Sequence, residues 1–536
     1  MNIKYRKLLF FISVIILLTF LKIDFRFVDS IYCCSDDFDY FIHAESISED
    51  LDFDYSNQLT GLEDKRYNNE SKVAPIGFVG TGILSAPFMF IGNFMDLLKE
   101  NIFKSNSLMN YKLLIYSFSS IFYLFASFVL LFKILKILNI DINNLEVLIL
   151  FLGSGVIYYA FERFSMTHSY ETFSTTLIIY LSTIFYKRKN SNLAAFFIPV
   201  AIVIGLLVKW TNYYLLAIPF FMKLLIRSRQ KLILNKQFLI SVIASILSFL
   251  ALSYQVYGLI TIDPRISYQV QSSVIAIVNT NISENLLFTY FDRILILFTT
   301  QEFGIIYFMP VMAASIIVSI FLFFKKIIKT KKIDFIQLVY LIACFQIILI
   351  VVIWRSTASS YGFRYLMGFY PLAIVHYYYL KQKYNFINFH KLLLFLSFFS
   401  ILSVLFFETT IDSQLSVERI YNSFGKFTRY TQPQYLSGLV SSFFVFDSYL
   451  KIFTTSFFGS IIFKILLFLL GKSQFLNLLS SFGLPTDNND FIIYINNLEK
   501  IGFDKFLITI IFKNSYKWNK LFSLQAIFIK IINIYI

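Results

Sequence analysis

The residues in this chain that are best suited to chemistry form an acidic cluster near its start. The run CCSDDFDYFIHAE at residues 33–45 contains two adjacent carboxylates, Asp36 and Asp37. Tyr40 and Ala44 follow Asp36 at intervals of four, so a short helix at the membrane surface would place all three on one face. Asp36 or Asp37 is then a candidate general base toward a hydroxyl group. An acidic, solvated loop would give the same pattern.

Three other polar segments carry residue types that bind sugars and phosphates. Lys72 precedes an apolar segment. Its amine either reaches a phosphate at headgroup level or only extends along the apolar surface to reach water. Residues 158–171 contain two Glu, one Arg and one His within ten residues. These side chains fit a sugar or phosphate pocket, and they fit equally well a loop in which they pair with one another at the surface. Arg364 begins an apolar segment and needs an anionic partner, either a lipid phosphate or an acid such as Glu302. The candidate binding residues are Tyr40, Lys72, Glu162, His168, Arg364 and Tyr365.

The rest of the chain is mostly apolar. Of its 536 residues, 57% are hydrophobic and only 15% are charged, whereas soluble domains carry about 25% charged residues. Apolar segments of roughly 20 residues recur, which is the length of a membrane-spanning helix, and they lack the alternation of barrel strands. The net charge of +15 does not indicate nucleic-acid binding, because Lys and Arg lie in short loops between apolar segments. The sequence predicts an all-α polytopic membrane protein.

The distribution of charge predicts which loops share a side of the membrane. Basic runs at residues 187–189, 227–236 and 325–332 mark inner loops by the positive-inside rule. All three face inward if residues 75–98, which contain two prolines and four glycines, lie in the outer interface or re-enter rather than cross. Residues 24–107 then form a first outer loop that contains the acidic cluster.

This assignment gives about eleven to thirteen membrane spans. The first, at residues 5–23, is predicted to be an uncleaved signal anchor, and residues 1–407 form one transmembrane domain. Residues 408–536 form a C-terminal region with an outer polar segment and one further candidate span at 452–471. The other spans are predicted at residues 108–135, 145–161, 168–186, 192–209, 211–227, 237–258, 304–324, 334–353, 362–380 and 390–407.

The sequence does not indicate metal or nucleotide chemistry. The three cysteines, Cys33, Cys34 and Cys344, do not have zinc-binding spacing, and His168 has no second histidine near it in the sequence. We found no P-loop and no Gly-rich dinucleotide-binding turn. We therefore predict no metal ion and no cofactor.

The order of these motifs resembles that of the multispanning GT-C glycosyltransferases. The similar members are bacterial relatives of protein O-mannosyltransferases and of the aminoarabinose transferase that modifies lipid A, and the resemblance covers about residues 1–380. The matching positions are Asp36, Asp37, Tyr40 and Ala44 after the first span, Lys72, Pro75 and Gly77 before the interfacial segment, the step from Gly205 to Asn212 with Lys209 where Arg is commoner, and Gly362, Arg364 and Tyr365 in a late outer loop.

The resemblance implies a catalytic domain at residues 1–407 that transfers a sugar, with inversion, from a polyprenyl-phosphate donor to an acceptor hydroxyl on the outer face. Asp36, or its neighbour Asp37, would act as the base, and Lys72 and Arg364 would stabilise the departing phosphate. The acceptor would be a glycan, a lipid or a protein. The residues that would contact sugar or acceptor are Tyr40, Glu162, His168 and Tyr365.

Two other classes of many-span envelope protein fit the sequence less well. An O-antigen-type polymerase or ligase would place its large outer loop late in the chain and rely on arginines there, whereas here the acids follow the first span. A transporter or flippase of lipid-linked glycans would show inverted repeats and a polar site at mid-membrane, and the sequence shows neither. Both classes are disfavoured relative to a glycosyltransferase.

Overall fold

The computed structural model consists of helices joined by turns, with no β-strand among the residues it describes. Those residues are 35–59, 73–75, 77–101, 110–161, 163–188, 191–258, 260, 286–299, 304–354, 364–384, 387–406 and 457–481. The predicted signal anchor at 5–23, Lys72, Glu162 and the polar segment at 408–440 lie outside this described part.

The described helices follow one another in chain order, and short 3₁₀ or π turns connect several of them. These turns are Ser46–Asp50, Tyr213–Ala217, Leu232–Leu234 and Arg364–Phe369. The α-helices are α1 Ser35–Glu45, α2 Gly80–Asn101, α3 Tyr111–Ile137, α4 Asn144–Leu152, α5 Val156–Phe161, α6 His168–Lys187, α7 Asn192–Val208, α8 Ile218–Ile226, α9 Lys236–Tyr257, α10 Leu286–Thr299, α11 Ile305–Phe308, α12 Pro310–Thr330, α13 Phe335–Trp354, α14 Tyr370–Tyr384, α15 Ile387–Phe406 and α16 Phe457–Ser481.

Each apolar segment predicted between residues 108 and 407 coincides with one described helix or with two helical pieces in series. The segment at 145–161 is divided into α4 and α5 around Gly155, whose φ of +77° favours glycine. The segment at 304–324 is divided into α11 and α12 just before Pro310, because a proline disfavours helical backbone at the residue that precedes it, here Met309 with φ −141° and ψ 58°. The helices themselves are therefore confirmed, including the short helix predicted around Asp36.

Four of these helices, α2, α3, α9 and α12, are long and apolar enough to cross a membrane, as judged by length and composition. Four further stretches, in α7, α8, α13 and α15, are apolar but shorter. Large apolar side chains such as Ile243 and Phe321 point outward from α9 and α12, as a lipid-facing surface requires. These features indicate an all-α membrane protein. The number and orientation of the crossings stay predictions.

Helix α2 packs along the N-terminal part of α3. The Tyr123 hydroxyl donates to the Leu84 carbonyl at 3.0 Å, and Asp96 accepts from the backbone N–H groups of Tyr111 and Lys112 at 3.1 and 2.7 Å. The two helices are therefore antiparallel. With a rise of about 1.5 Å per residue, α2 begins roughly 15 Å short of the C-terminal end of α3. Helix α2 is one of the helices long and apolar enough to cross, and the interfacial or re-entrant assignment of residues 75–98 stays a prediction.

Helix α6 runs parallel to α3. Tyr170 near its start meets the Ser119 hydroxyl at 2.5 Å, and Tyr180 further along lies 6.0 Å from the Lys133 amine. The N-termini of α3 and α6 thus mark one end of the bundle, here called the site end. Their C-termini, at Ile137 and Lys187, mark the opposite end.

Two glycines allow the start of α2 to pack closely on the end of α7 and on α1. A Cβ atom at Gly80 would lie 2.4 Å from the backbone of Leu207, and one at Gly82 would lie 2.4 Å from the Cβ of His43. The packed residues around α1 and α2 form a hydrophobic cluster separate from the main core of the bundle. α1 is therefore fixed between α2 and α3 instead of lying loose at the surface.

Candidate functional site

Two groups of ion pairs hold the ends of α1 at the site end. Near its C-terminus, the Lys112 amine of α3 donates to Glu45 at 2.7 Å and to Glu49 at 2.9 Å. Near its N-terminus, Asp37 forms an ion pair with Arg163, which lies in the turn before α6. Both Asp37 and Arg163 are buried. These contacts set the position of α1 relative to α3 and α6.

The ion pair of Asp37 with Arg163 is fully removed from solvent. Burial of the guanidinium acts to lower the pKa of Arg163, but the neighbouring Asp37 carboxylate raises it, and the net shift is upward. The arginine is therefore charged at any physiological pH. Because a buried charge is costly without its partner, each of these two residues is needed to stabilise the other.

The backbone of Asp36 lies in the first turn of α1, beside Asp37. One turn later, half-buried Tyr40 packs on the segment that follows Lys72, since a Cβ at Gly77 would lie 2.3 Å from the Tyr40 ring. The same segment is fixed to α1 by His43, whose Nε2 donates to the Gly77 carbonyl at 2.9 Å. The segment that follows Lys72 is thus held against the helix that carries the two aspartates.

A second buried group joins α6 to the end of α7. The carboxylate of Glu171 accepts from the Lys209 amine at 3.1 and 3.4 Å and from the Thr167 hydroxyl at 2.5 Å. The Nδ1 atom of His168 lies 3.2 Å from the same carboxylate. The Nε2 atom of His168 is buried and has no hydrogen-bond partner among the described residues. A substrate oxygen or hydroxyl is one group that could satisfy it.

Arg364 and Tyr365 complete this end of the bundle. The Tyr365 ring faces two cations, with the Lys209 amine 5.1 Å and the Arg364 guanidinium 5.2 Å from its centre. An Arg364 nitrogen also donates to the Tyr365 hydroxyl at 3.3 Å. Arg364 is buried, and its positive charge is close enough to Arg163 to act to lower the pKa of that arginine. The late outer motif and the loop before α6 therefore lie close together.

The structure brings together predicted residues from three distant parts of the sequence, namely Asp37, His168, and Arg364 with Tyr365. The described side chains do not include Asp36, Lys72 or Glu162. Three further residues complete the cluster and were not predicted from the sequence to be site residues. Arg163 and Glu171 stood in the predicted polar run, and Lys209 stood in a recognised motif, but their pairing depends on the fold. The residues that were missed are Arg163, Glu171 and Lys209.

No protein-family model, curated protein or solved structure matches this chain. Its chemistry must therefore be argued from the site itself. Within the described part of the cluster, Arg163, Lys209 and Arg364 carry positive charge, and Asp37 and Glu171 carry negative charge. Such a mixed cluster suits a ligand that carries both an anionic group and hydroxyl groups.

The described residues contain no group of three or more His, Cys, Asp or Glu side chains that could hold a metal ion. The prediction that the protein uses no metal stays a prediction. Of the cysteines, Cys344 is buried in α13, while Cys33 and Cys34 lie outside the described residues.

Acidification is expected to destabilise the site through His43. Burial lowers the pKa of His43 from 6.5 to about 4, although its hydrogen bond to Gly77 acts in the opposite direction. The unfolded chain therefore binds a proton at His43 near pH 6.5, whereas the folded chain does not. The stability contributed by neutral His43 is complete above pH 6.5 and falls by about 3 kcal/mol as pH approaches 4.

This expectation is checked by denaturant unfolding of the detergent-solubilised protein between neutral pH and pH 4. The matched variant His43→Gln keeps a donor for the Gly77 carbonyl but cannot ionise in this range. Its stability should fall less steeply with acid than that of the parent. Equal slopes for the two proteins would contradict the assignment of the effect to His43.

Proposed function

We propose that the chain is a GT-C-type glycosyltransferase that transfers a sugar from a polyprenyl-phosphate donor to an acceptor hydroxyl on the outer face of the membrane. The observation that carries this proposal is the clustering at the site end. The helix with the acidic pair contacts Arg163 through Asp37. Arg364 lies near enough to act on the charge of Arg163, and it shares the Tyr365 ring with Lys209. An acid-base group and phosphate-binding cations are what this reaction requires.

In the proposed mechanism, the carboxylate of Asp36 or Asp37 removes the proton from the acceptor hydroxyl. The acceptor oxygen then attacks the anomeric carbon from the face opposite the phosphate. The bond from that carbon to the phosphate oxygen breaks, its electron pair leaves with the phosphate, and the configuration inverts. Asp36 is the preferred base, because Asp37 is already engaged by Arg163.

The departing phosphate needs positive charge and no proton. Lys209 and Arg364 both face the ring of Tyr365, and together they offer a cationic surface at the site end. Lys72 is proposed to add a third cation, since the segment that follows it packs on α1. His168 is proposed to bind a hydroxyl of the sugar or the acceptor through its Nε2 atom.

The charge distribution supports an outer-face site in the cell membrane. The opposite end of the bundle carries the basic ends of several helices, whereas the site end carries the acidic segment that contains α1. By the positive-inside rule the opposite end faces the cytoplasm, so that the site end faces outward. The proposed bundle has eleven to thirteen spans, with residues 24–107 as its first outer loop. The basic residues at the opposite end include Lys136, Lys187, Arg188, Arg227, Arg229, Lys231 and Lys381.

The test of this function is the glycan profile of a strain that lacks the protein. We expect one sugar to disappear from a cell-envelope lipid, polysaccharide or protein, and the matching polyprenyl-phosphate sugar to accumulate. The parent gene should restore the profile, and a copy encoding Asp36→Asn should not. An unchanged profile, or a lost polymer with intact single sugars and accumulated lipid-linked repeat units, would contradict a sugar transferase. The second of these results would favour a polymerase.

A further inference from the structure

A basic surface with exposed aliphatic side chains lies at the opposite end of the bundle, away from the site. It is built on the basic loop, residues 227–236, which joins α8 to α9. The Gln230 amide donates to the Arg188 carbonyl at 3.1 Å, and Asn235 donates to Asn192 at 3.0 Å. These two bonds attach the loop to the end of α6 and the start of α7.

The charge of this surface is not neutralised within the described part of the chain. Its basic side chains are exposed, and none forms an ion pair with another described residue. The sequence between Glu171 and Asp263 contains nine Lys and Arg residues and no acid. The basic residues on the surface are Lys187, Arg188, Arg227, Arg229, Lys231 and Lys236.

Three aliphatic side chains project from the same surface. Leu193 is 73% exposed, Ile233 is 72% exposed and Leu234 is 70% exposed. The last two belong to the 3₁₀ turn Leu232–Leu234, whose first residue is buried and anchors the turn. Exposure of these neighbouring aliphatic groups to water is unfavourable by about 25 cal/mol for each Å² of apolar surface, so that contact with an apolar phase would stabilise this surface.

The position of the loop relative to the lipid-facing surface indicates what provides that contact. The basic loop leads directly into α9, which is long and apolar enough to cross a membrane. The first turns of α9 continue the exposed apolar surface, with Leu239 46%, Ile240 57% and Ile243 63% exposed. Ile233 and Leu234 therefore lie where the apolar surface of the bundle meets its charged end.

We propose that the basic loop is a binding site for anionic phospholipid headgroups. Ile233 and Leu234 insert among the first carbons of the acyl chains, and Arg227, Arg229 and Lys231 bind the phosphates around them. Anionic headgroups supply the negative charge that the chain itself lacks here, and each basic residue near such a surface strengthens binding by about fivefold. The site anchors the end of the bundle opposite the proposed active site, and it does not depend on the proposed enzymatic activity.

The insertion is tested with a fluorescent label at residue 233. Ile233→Cys is prepared in the full chain with Cys33→Ser and Cys34→Ser, labelled with bimane and placed in lipid nanodiscs that contain lipids with a doxyl group near the headgroup. We expect at least about twofold stronger quenching in nanodiscs containing phosphatidylglycerol than in those of phosphatidylcholine alone. A label that stays unquenched in both would overturn the proposal.

The matched control is Leu51→Cys in the same background. Leu51 is also an exposed leucine, at 80%, but it stands between Asp50 and Asp52. Anionic lipid should leave quenching at residue 51 unchanged or reduce it. If residues 51 and 233 responded alike to phosphatidylglycerol, the effect would come from the membrane as a whole, and the proposed site would be wrong.

A second variant tests the role of charge without disturbing a described ion pair. Arg227→Gln, Arg229→Gln and Lys231→Gln are combined in the labelled Ile233→Cys protein. We expect the ratio of quenching in phosphatidylglycerol to quenching in phosphatidylcholine to fall from at least about twofold to about one, with thermal unfolding unchanged in detergent. If the preference persisted after neutralisation, the loop would not be the site of anionic lipid binding.

Discussion

Replacing Asp36 with asparagine is expected to lower sugar transfer by about 10²- to 10⁴-fold, the usual contribution of a positioned general base. The amide keeps the size of the carboxylate but cannot accept a proton from the acceptor hydroxyl. The thermal stability of the detergent-solubilised protein should stay close to that of the parent. The measurement is the rate of transfer in membranes supplied with polyprenyl-phosphate sugars.

The neighbouring variant Asp37→Asn is expected to differ, because Asp37 is paired with Arg163 inside the protein. Removing its charge leaves a buried guanidinium without its partner, which costs about 3–5 kcal/mol of stability. Transfer by Asp37→Asn should fall in parallel with the amount of folded protein. Asp54→Asn serves as a control, because Asp54 is exposed in the same acidic region, and it should retain parental activity.

The outcomes separate two carboxylates that the sequence alone leaves equivalent. If Asp37→Asn lost activity while staying folded and Asp36→Asn kept it, Asp37 would be the base. If both variants kept full transfer rates, the acidic cluster would be structural and the proposed mechanism would be wrong.

Most of the described helices were predictable because each depends on a local pattern, whereas α10, at Leu286–Thr299, was not predicted. An apolar run of about 20 residues has little alternative to a helix in a membrane, and the predicted ends of α3, α6 and α9 fall within three residues of the described ones. The points at which an apolar segment is divided into two helices were less predictable. The turn at Gly155 and the start of α12 at Pro310 depend on backbone conformation within runs that are apolar throughout.

The site was predictable in its residue types but not in its pairings. A loop with Glu, Arg and His indicated polar function, and Asp37 was selected for its place after the first span. That Arg163 pairs with Asp37 could not be deduced, because the two residues are 126 positions apart and several acids were available to it. The contact of Lys209 with Glu171 depends in the same way on the packing of α6 against α7.

The pair of Glu171 and Lys209 offers a way to separate stability from catalysis. Glu171 is fully buried and Lys209 is largely buried. The Glu171 carboxylate also accepts a hydrogen bond from Thr167. Lys209→Met alone leaves a buried carboxylate without its cation, and Glu171→Gln alone leaves an ammonium group without its anion. Each single variant is expected to lose about 3–5 kcal/mol of stability, measured by denaturant unfolding in detergent.

The double variant Glu171→Gln with Lys209→Met should recover most of that stability, because it contains neither buried charge and roughly keeps the volume of both side chains. Transfer should nevertheless stay low, since the proposed phosphate site beside Tyr365 has lost one of its cations. The distinguishing measurement is transfer per folded molecule in the double variant. Recovery of transfer together with stability would show that Lys209 only stabilises the fold. Phosphate binding would then be assigned to Arg364, with no contribution from Lys209.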